Sequence, residues 1–197
     1  MTQVLRLSQS GFPSRWISFE EAIAHICKNQ VVWDFGEPIE VYHGGLNSRS
    51  QQRTIIAIPP VMAVKEEKFT SEKILKKSVP TLTNKTLFER DHYICMYCGE
   101  KFPEKMLTRD HIHPRHLGGE DKWTNVVTAC KSCNHHKGHK TLDELKWYLL
   151  AVPYEPNRHE YLFFMNARKV LADQMVFLES GFKNFKKEYL SSGLKIQ

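Results

Sequence analysis

The chain of 197 residues lacks long apolar runs, since no stretch approaches the roughly 18 to 20 apolar residues that a membrane span requires. The N-terminal segment also lacks the apolar centre of a secretory signal. No internal repeat or low-complexity segment is present, yet 41% of the residues are apolar and 11% are aromatic. We therefore expect a cytoplasmic protein with a real core in one or two small domains.

Cysteine is scarce, and its placement is informative. Of five cysteines, four form the pairs Cys95-x2-Cys98 and Cys130-x2-Cys133. Two such pairs argue against a secreted disulfide scaffold and are typical of four reduced thiolates that surround Zn²⁺ tetrahedrally. The fifth, Cys27, lies alone in a helical pattern, so we predict that it is a buried structural residue.

Acidic residues are fewer than basic ones. The 28 Lys and Arg against 22 Asp and Glu give a net charge of +6, with a pI of about 9.0. A modest positive excess suits a polyanionic partner but does not identify one. Because no helix-turn-helix or finger-type reader is visible, the sequence does not indicate which nucleic-acid sequence would be recognised.

The first 65 residues or so predict a small α+β unit. Ser18 and Glu21 form the pattern of a capping box before a helix over about residues 19–29, and Ile17 is placed to pack against Ala22. Two strands are then predicted, Val31–Trp33 and Arg53–Ile58. The motifs His43-Gly44-Gly45 and Asn47-Ser48 supply turn residues between them.

Two further regions lie outside the cysteine-bearing segment. Residues 66–86 are polar and rich in lysine, which predicts a basic linker. A helix is predicted from Asn166 to about Leu190 because apolar residues recur there at heptad spacing: Leu171, Met175, Leu178, Phe182, Phe185 and Tyr189. This seam either packs on the protein's own core or forms a homodimer.

The two cysteine pairs enclose 31 residues, more than the roughly 15 to 20 of a plain zinc ribbon, so the insert is where function is expected. It predicts a short strand with Asp110 and His111, a turn at Gly118-Gly119, a second short strand and a helix. A carboxylate and an imidazole offer a hard oxygen ligand and a proton acceptor. Because neighbours on a strand face opposite ways, both can serve one site only if the strand ends or bends there.

The insert resembles the HNH endonucleases of the ββα-metal class over residues 85–140. The resemblance is carried by four motifs in fixed order: Asp110-His111-Ile112-x-Pro114, Gly118-Gly119, Asn125-Val126-Val127 and Cys130-x2-Cys133-Asn134-x2-Lys137-Gly138. It implies a central zinc-bound ββα-metal nuclease domain, and with the patterns on either side the expected fold is α+β, with a small N-terminal α+β unit and a long C-terminal amphipathic helix. The predicted domains are 1–65, the linker 66–86, the nuclease domain 87–145 and the helical extension 146–197.

The resemblance also assigns roles by position. His111 would be the general base, and Asp110 would bind a catalytic Mg²⁺ or Mn²⁺. Asn125 would fix the loop that orients the base. The four cysteines would hold the structural Zn²⁺ and leave no open position for a substrate.

The second ligand of the catalytic metal is expected at Asn134, which makes this chain an H-N-N variant. An amide oxygen is harder than imidazole and favours Mg²⁺ or Mn²⁺. His135 or His136 is the alternative ligand. The candidates for phosphate contacts are basic residues near the motif: Arg109, Arg115, Lys131, Lys137 and Lys140.

The implied activity is metal-dependent hydrolysis of DNA phosphodiester bonds, with RNA as the alternative substrate. Two other interpretations stay open. One is a nuclease subunit of a defence or restriction system that needs a partner, and the other is a catalytically silent, zinc-dependent nucleic-acid-binding module.

Overall fold

The computed structural model describes residues 3–46, 48–49, 51–65, 79–166 and 169–183. Helices and strands are mixed, which confirms the predicted α+β class. The chain divides into two compact units, Met1–Ser78 with Arg158–Gln197 and Val79–Asn157. Within the described ranges, every helix is too short or too polar to cross a bilayer.

The first unit is built on a four-stranded sheet in the order β2-β1-β6-β3. Strand β1 pairs antiparallel with β2 and parallel with β6, and β6 pairs antiparallel with β3. Helix α1 follows β2 in the chain. The bounds are Val4–Leu7 for β1, Pro13–Ile17 for β2, Phe19–Cys27 for α1, Val31–Phe35 for β3 and Val61–Val64 for β6.

Alternation along the strands gives this sheet two apolar faces. Val4 and Met62 pack with Ala22 of α1, while Leu5 and Val61 pack on the opposite side. That second face is covered by the C-terminal helices, α5 over Arg158–Asn166 and α6 over Ala172–Glu179. Their buried residues are Leu162, Phe163, Phe164 and Leu178.

The prediction of one long helix from Asn166 was wrong in the described part of the chain. Asn166 ends α5, and α6 begins only at Ala172. The Gln174 side chain explains the new start, because its oxygen accepts from Leu171 N at 3.0 Å while its nitrogen donates to Pro60 O at 3.0 Å. The sheet thus fixes where α6 begins.

The described part of the heptad seam packs on the protein's own core. Leu178 is buried there, and Met175 and Phe182 lie against the same cluster. Gly181 allows a close approach, since a Cβ at that position would lie 2.3 Å from the His159 ring. Phe185 and Tyr189, the last two residues of the predicted seam, lie outside the described residues.

Helix α1 begins as predicted. Ser18 caps it by accepting from Glu21 N at 3.3 Å, and Ile17 and Ala22 are buried in one cluster. The Glu21 side chain binds Arg15 at 3.0 Å instead of turning back to Ser18. The prediction that Cys27 is buried was wrong, because this last residue of α1 is exposed.

The hairpin in this unit differs from the predicted turn. Strand β4 covers Glu40–Leu46 and β5 covers Arg53–Ile58, so the motif His43-Gly44-Gly45 lies inside a strand. The pairing shifts between His43 and Leu46, which accommodates the two glycines as an irregularity. Both strands are largely exposed.

The second unit contains the ββα arrangement that the resemblance implied. Strands β7 and β8 pair antiparallel with Asp110 opposite Val127, and helix α3 follows β8 directly. The bounds are Leu107–His111 for β7, Val126–Cys130 for β8, Lys131–Lys137 for α3 and Leu142–Leu145 for the short helix α4.

Helix α2, Asn84–Arg90, opens the second unit and is capped by Thr83, so the end of the predicted linker is helical. Residues 66–78 of that linker lie outside the described residues. A core of its own holds this unit: Leu87, Phe88, Leu107, Trp123 and Val126. The unit continues to Asn157.

Candidate active site

The four paired cysteines converge in the second unit. Their sulfur atoms all lie within 4.8 Å of one another, and they are the only group of three or more His, Cys, Asp or Glu side chains in the described ranges that is placed to hold a metal ion. A tetrahedral Zn²⁺ with Zn–S bonds of about 2.3 Å needs sulfurs roughly 4 Å apart, so the donors fit this ion. Each Cys-x2-Cys pair forms a zinc knuckle, Cys95–Cys98 the first and Cys130–Cys133 the second. In the second, Cys133 N donates to Cys130 Sγ at 3.4 Å and so forms its turn.

The surroundings of the thiols differ around the site. Desolvation raises the pKa of Cys98 and Cys133. Burial opposes ionisation of Cys95 as well, but backbone hydrogen bonds to its sulfur outweigh that effect and lower its pKa. Cys95 therefore ionises more readily than Cys98 and Cys133, whose thiolate forms a bound cation would favour.

Strand β7 distributes its polar side chains between two faces, as period-two alternation requires. Thr108 and Asp110 contact helix α3, through Asn134 and Lys137. Their neighbours Arg109 and His111 contact Asp121 on the loop before β8 instead. The strand ends at His111, as the shared site was expected to require, and Ile112 N then donates to Asn125 O at 2.9 Å.

Asp110 is buried, with 8% of its side chain exposed. Its Oδ2 accepts a short hydrogen bond from the Tyr97 hydroxyl and lies 3.1 Å from Lys137 Nζ. The same ammonium is 3.3 Å from Asp110 Oδ1 and donates to His111 O at 2.8 Å. Burial and the adjacent carboxylate raise the pKa of Tyr97 well above its usual range, so the phenol keeps its proton.

His111 is held from the other side of the strand. Its Nε2 lies 2.9 Å from Asp121 Oδ1, and 19% of its side chain is exposed. Asp121 also accepts from Arg109 Nη1 at 2.6 Å. Partial burial of Asp121 tends to raise its pKa, but the hydrogen bonds from Arg109 and His111 outweigh this and lower it. Asp121 is therefore an ionised acceptor that fixes the imidazole.

The loop between His111 and β8 is closed by Asn125. Its Oδ1 accepts from His113 N at 2.9 Å, and its Nδ2 donates to His113 O at 3.2 Å and Glu120 O at 2.8 Å. Gly119 permits this approach, because a Cβ there would lie 1.9 Å from His113 O. The buried amide thus holds the backbone on both sides of the loop that carries Asp121.

Asn134 projects from α3 toward β7 and donates from Nδ2 to Thr108 Oγ1 at 2.9 Å. Its oxygen accepts no hydrogen bond from the described residues, and an amide oxygen of this kind could bind a hard cation. The alternatives His135 and His136 are exposed, and the His136 ring stacks on Trp147 with centroids 5.3 Å apart. A carboxylate and an amide oxygen suit Mg²⁺ or Mn²⁺.

The predicted phosphate contacts separate into two groups. Arg115, Lys131 and Lys140 are exposed, as such a role requires. Lys137 is not placed for it, because only 1% of its side chain is exposed and its ammonium binds Asp110. Arg109 is engaged by Asp121.

Tyr97 and Asp121 were not among the residues singled out in the sequence. Tyr97 lies between Cys95 and Cys98, and the Cys-x2-Cys motif assigns a role to the two cysteines only, not to the residues between them. Asp121 comes ten residues after His111, and nothing in that spacing marks the contact. Its acidic side chain close to the Gly118-Gly119 turn is the local feature that could have drawn attention to it.

Comparison with known families agrees with this geometry. The family described as HNH endonuclease matches residues 95–150. The matched segment starts at Cys95, the first cysteine of the two pairs, and contains β7, β8 and α3, so the resemblance seen in the motifs is confirmed for this segment, which is similar to the HNH endonucleases. No curated protein matches the chain.

Proposed function

We propose that residues 87–145 form a metal-dependent endonuclease that hydrolyses DNA phosphodiester bonds in the cytoplasm. The observation that carries the proposal is the end of β7 inside the zinc-knuckle frame. Asp110 and His111 are adjacent there, one bound from α3 and the other from Asp121. A silent binding module would have no need of a buried carboxylate beside an oriented imidazole.

His111 is the general base in this proposal. Asp121 accepts from the protonated Nε2, which leaves Nδ1 with the lone pair that takes a proton from water. The water oxygen then attacks phosphorus in line, and the 3′ oxygen departs. Asp121 is a positioning residue, since it holds the tautomer and the ring through a 2.9 Å contact.

A Mg²⁺ or Mn²⁺ held by Asp110 and the Asn134 oxygen, with His135 or His136 as alternatives, would supply positive charge that stabilises the phosphate and the leaving oxygen. The zinc knuckle contributes rigidity, because α3 starts immediately after Cys130 and carries Asn134. The exposed Arg115, Lys131 and Lys140 would bind the phosphate backbone.

The experiment is cleavage of supercoiled plasmid by the purified protein with Mg²⁺, with Mn²⁺ or with EDTA. The wild type is compared with His111→Ala and with the control His139→Ala, which removes an exposed imidazole of the same unit. We expect metal-dependent nicking or linearisation that falls by about 100-fold or more in His111→Ala only, the usual range for loss of a general base.

Zinc content and DNA binding are measured on all three proteins and should be equal. Cutting by His111→Ala at the wild-type rate would contradict the assignment of the base. A wild type with full zinc that binds DNA without cutting would favour a partner-dependent nuclease subunit or a binding module. Nicking alone would indicate one active site at work, whereas direct linearisation would support a homodimer.

A further inference from the structure

The first zinc knuckle carries a side chain that reaches Asp110. Tyr97 lies between Cys95 and Cys98, and its hydroxyl donates to Asp110 Oδ2. The residue before it, Met96, donates from its backbone N to Thr128 O of β8 at 2.9 Å. The knuckle backbone is thereby attached to the sheet, and the phenol extends from it to the neighbouring strand.

The Tyr97 ring is held as well as its backbone. Its centroid lies 5.3 Å from that of Trp147, and Trp147 stacks on His136 of α3. The ring is therefore fixed from the knuckle on one side and by an aromatic contact on the other. A phenol restrained in this way can fix the rotation of a carboxylate that it binds.

The contacts of Asp110 differ between its two oxygens. Oδ2 receives the phenol and the closer approach of Lys137, at 3.1 Å, while Oδ1 receives only the ammonium at 3.3 Å. Oδ1 therefore keeps more of its lone-pair capacity for a cation. The phenol decides which oxygen that is, because it occupies Oδ2 and prevents the group from turning over.

We propose that Tyr97 is a positioning residue that aligns the Asp110 carboxylate for the catalytic divalent metal and so couples the zinc knuckle to the site of hydrolysis. This inference rests on the proposed function of Asp110 as a metal ligand. Outer-sphere partners of metal ligands affect affinity by about 10- to 100-fold when they are removed. The zinc site is in this view part of the catalytic apparatus as well as of the fold.

The test is a titration of the Tyr97→Phe variant with Mn²⁺, in which the electron paramagnetic resonance signal of free Mn²⁺ measures how much of the ion is bound. The matched control is Tyr93→Phe, which removes another tyrosine hydroxyl that donates to a carboxylate, Glu89, at 2.8 Å. We expect the dissociation constant to rise by about 10-fold or more in Tyr97→Phe and to stay unchanged in Tyr93→Phe.

Two further readouts separate positioning from a structural role. The zinc content of Tyr97→Phe should equal that of the wild type, and its melting temperature should lie within a few degrees of the wild-type value. The Mg²⁺ concentration for half-maximal cleavage should rise by a similar factor, while cleavage at saturating Mg²⁺ approaches the wild-type rate.

Wild-type Mn²⁺ affinity in Tyr97→Phe, or equal weakening in Tyr93→Phe, would overturn the proposal. Loss of zinc or of the fold in Tyr97→Phe would overturn it too, because the phenol would then support the knuckle itself. If the wild type neither binds Mn²⁺ nor cuts DNA, the proposed function fails first and the coupling fails with it. The two failures are therefore distinguished by the wild-type titration alone.

Discussion

Replacement of Lys137 by methionine separates the two roles that this lysine was given. The sequence suggested a contact to phosphate, whereas the structure buries the ammonium 3.1 Å from Asp110 and 2.8 Å from His111 O. Lys137→Met keeps most of the volume and removes the charge. Because the ammonium is buried in this pair, we expect the main effect on stability and not on DNA affinity.

The magnitude follows from the geometry. Two charges 3.1 Å apart attract each other by about 5 kcal/mol at an effective dielectric constant of ~20. Removal of one partner from a buried pair costs about 3 to 5 kcal/mol. The Asp110 carboxylate would stay buried and keep only the hydrogen bond from the Tyr97 hydroxyl. For a unit the size of Val79–Asn157, each kcal/mol shifts the melting temperature by about 4 to 8 °C, so a loss of 3 kcal/mol lowers it by about 12 to 24 °C.

The assay is thermal unfolding of the zinc-loaded protein by circular dichroism, together with DNA binding by fluorescence anisotropy. Lys131→Met, at the exposed start of the same helix, is the control and should melt within about 2 °C of the wild type, as exposed substitutions usually do. The double variant Asp110→Asn with Lys137→Met should recover most of the lost stability. Wild-type melting of Lys137→Met with weakened DNA binding would refute the buried pair and restore the phosphate contact.

Two more changes test the frame of the site. Removal of zinc by a strong chelator should abolish amide hydrogen-exchange protection in residues 95–137 while β1 and β6 stay protected. The reason is that zinc binding by the four thiols contributes about as much free energy as the whole folding stability of a small domain. Equal loss of protection in both units, or protection retained at the knuckles, would contradict this. Gly119→Ala should destabilise the protein by about 1 to 3 kcal/mol or more, since a Cβ would lie 1.9 Å from His113 O. The control Gly45→Ala, with open space at its Cβ, should be nearly neutral. Both are measured by chemical denaturation, and equal denaturation midpoints for the two variants would show that the loop adjusts to the added methyl group.

The sequence was most informative where local chemistry decides the structure. Ser18 capped α1 as its side chain and position predict, and the cysteine spacing predicted a zinc frame that the converged thiols fit. The residue pattern of the insert predicted a short strand, a glycine turn, a second strand and a helix, and the resemblance to the HNH endonucleases implied the same ββα arrangement. These signals depend on neighbours a few residues apart.

Two of the wrong predictions, for Lys137 and for the long C-terminal helix, depend on contacts between residues far apart in the chain. Lys137 looked like a surface cation because nothing near it in the sequence shows that Asp110 lies beneath it. The break before α6 is set by Gln174, whose amide binds Pro60, 114 residues away in the chain. A heptad pattern cannot contain that information, since the sheet imposes the break.

The order of the segments within the two compact units bears on how the protein is made. The sheet face with Leu5 and Val61 is covered by α5 and α6, which are synthesised only after Val79–Asn157 is complete. The whole second unit is therefore synthesised before the N-terminal sheet gains its second layer. Until then a growing chain exposes an apolar strand surface, which is a substrate for chaperones. An early stop codon before Arg158 would leave the metal-binding knuckles encoded while permanently uncovering that surface.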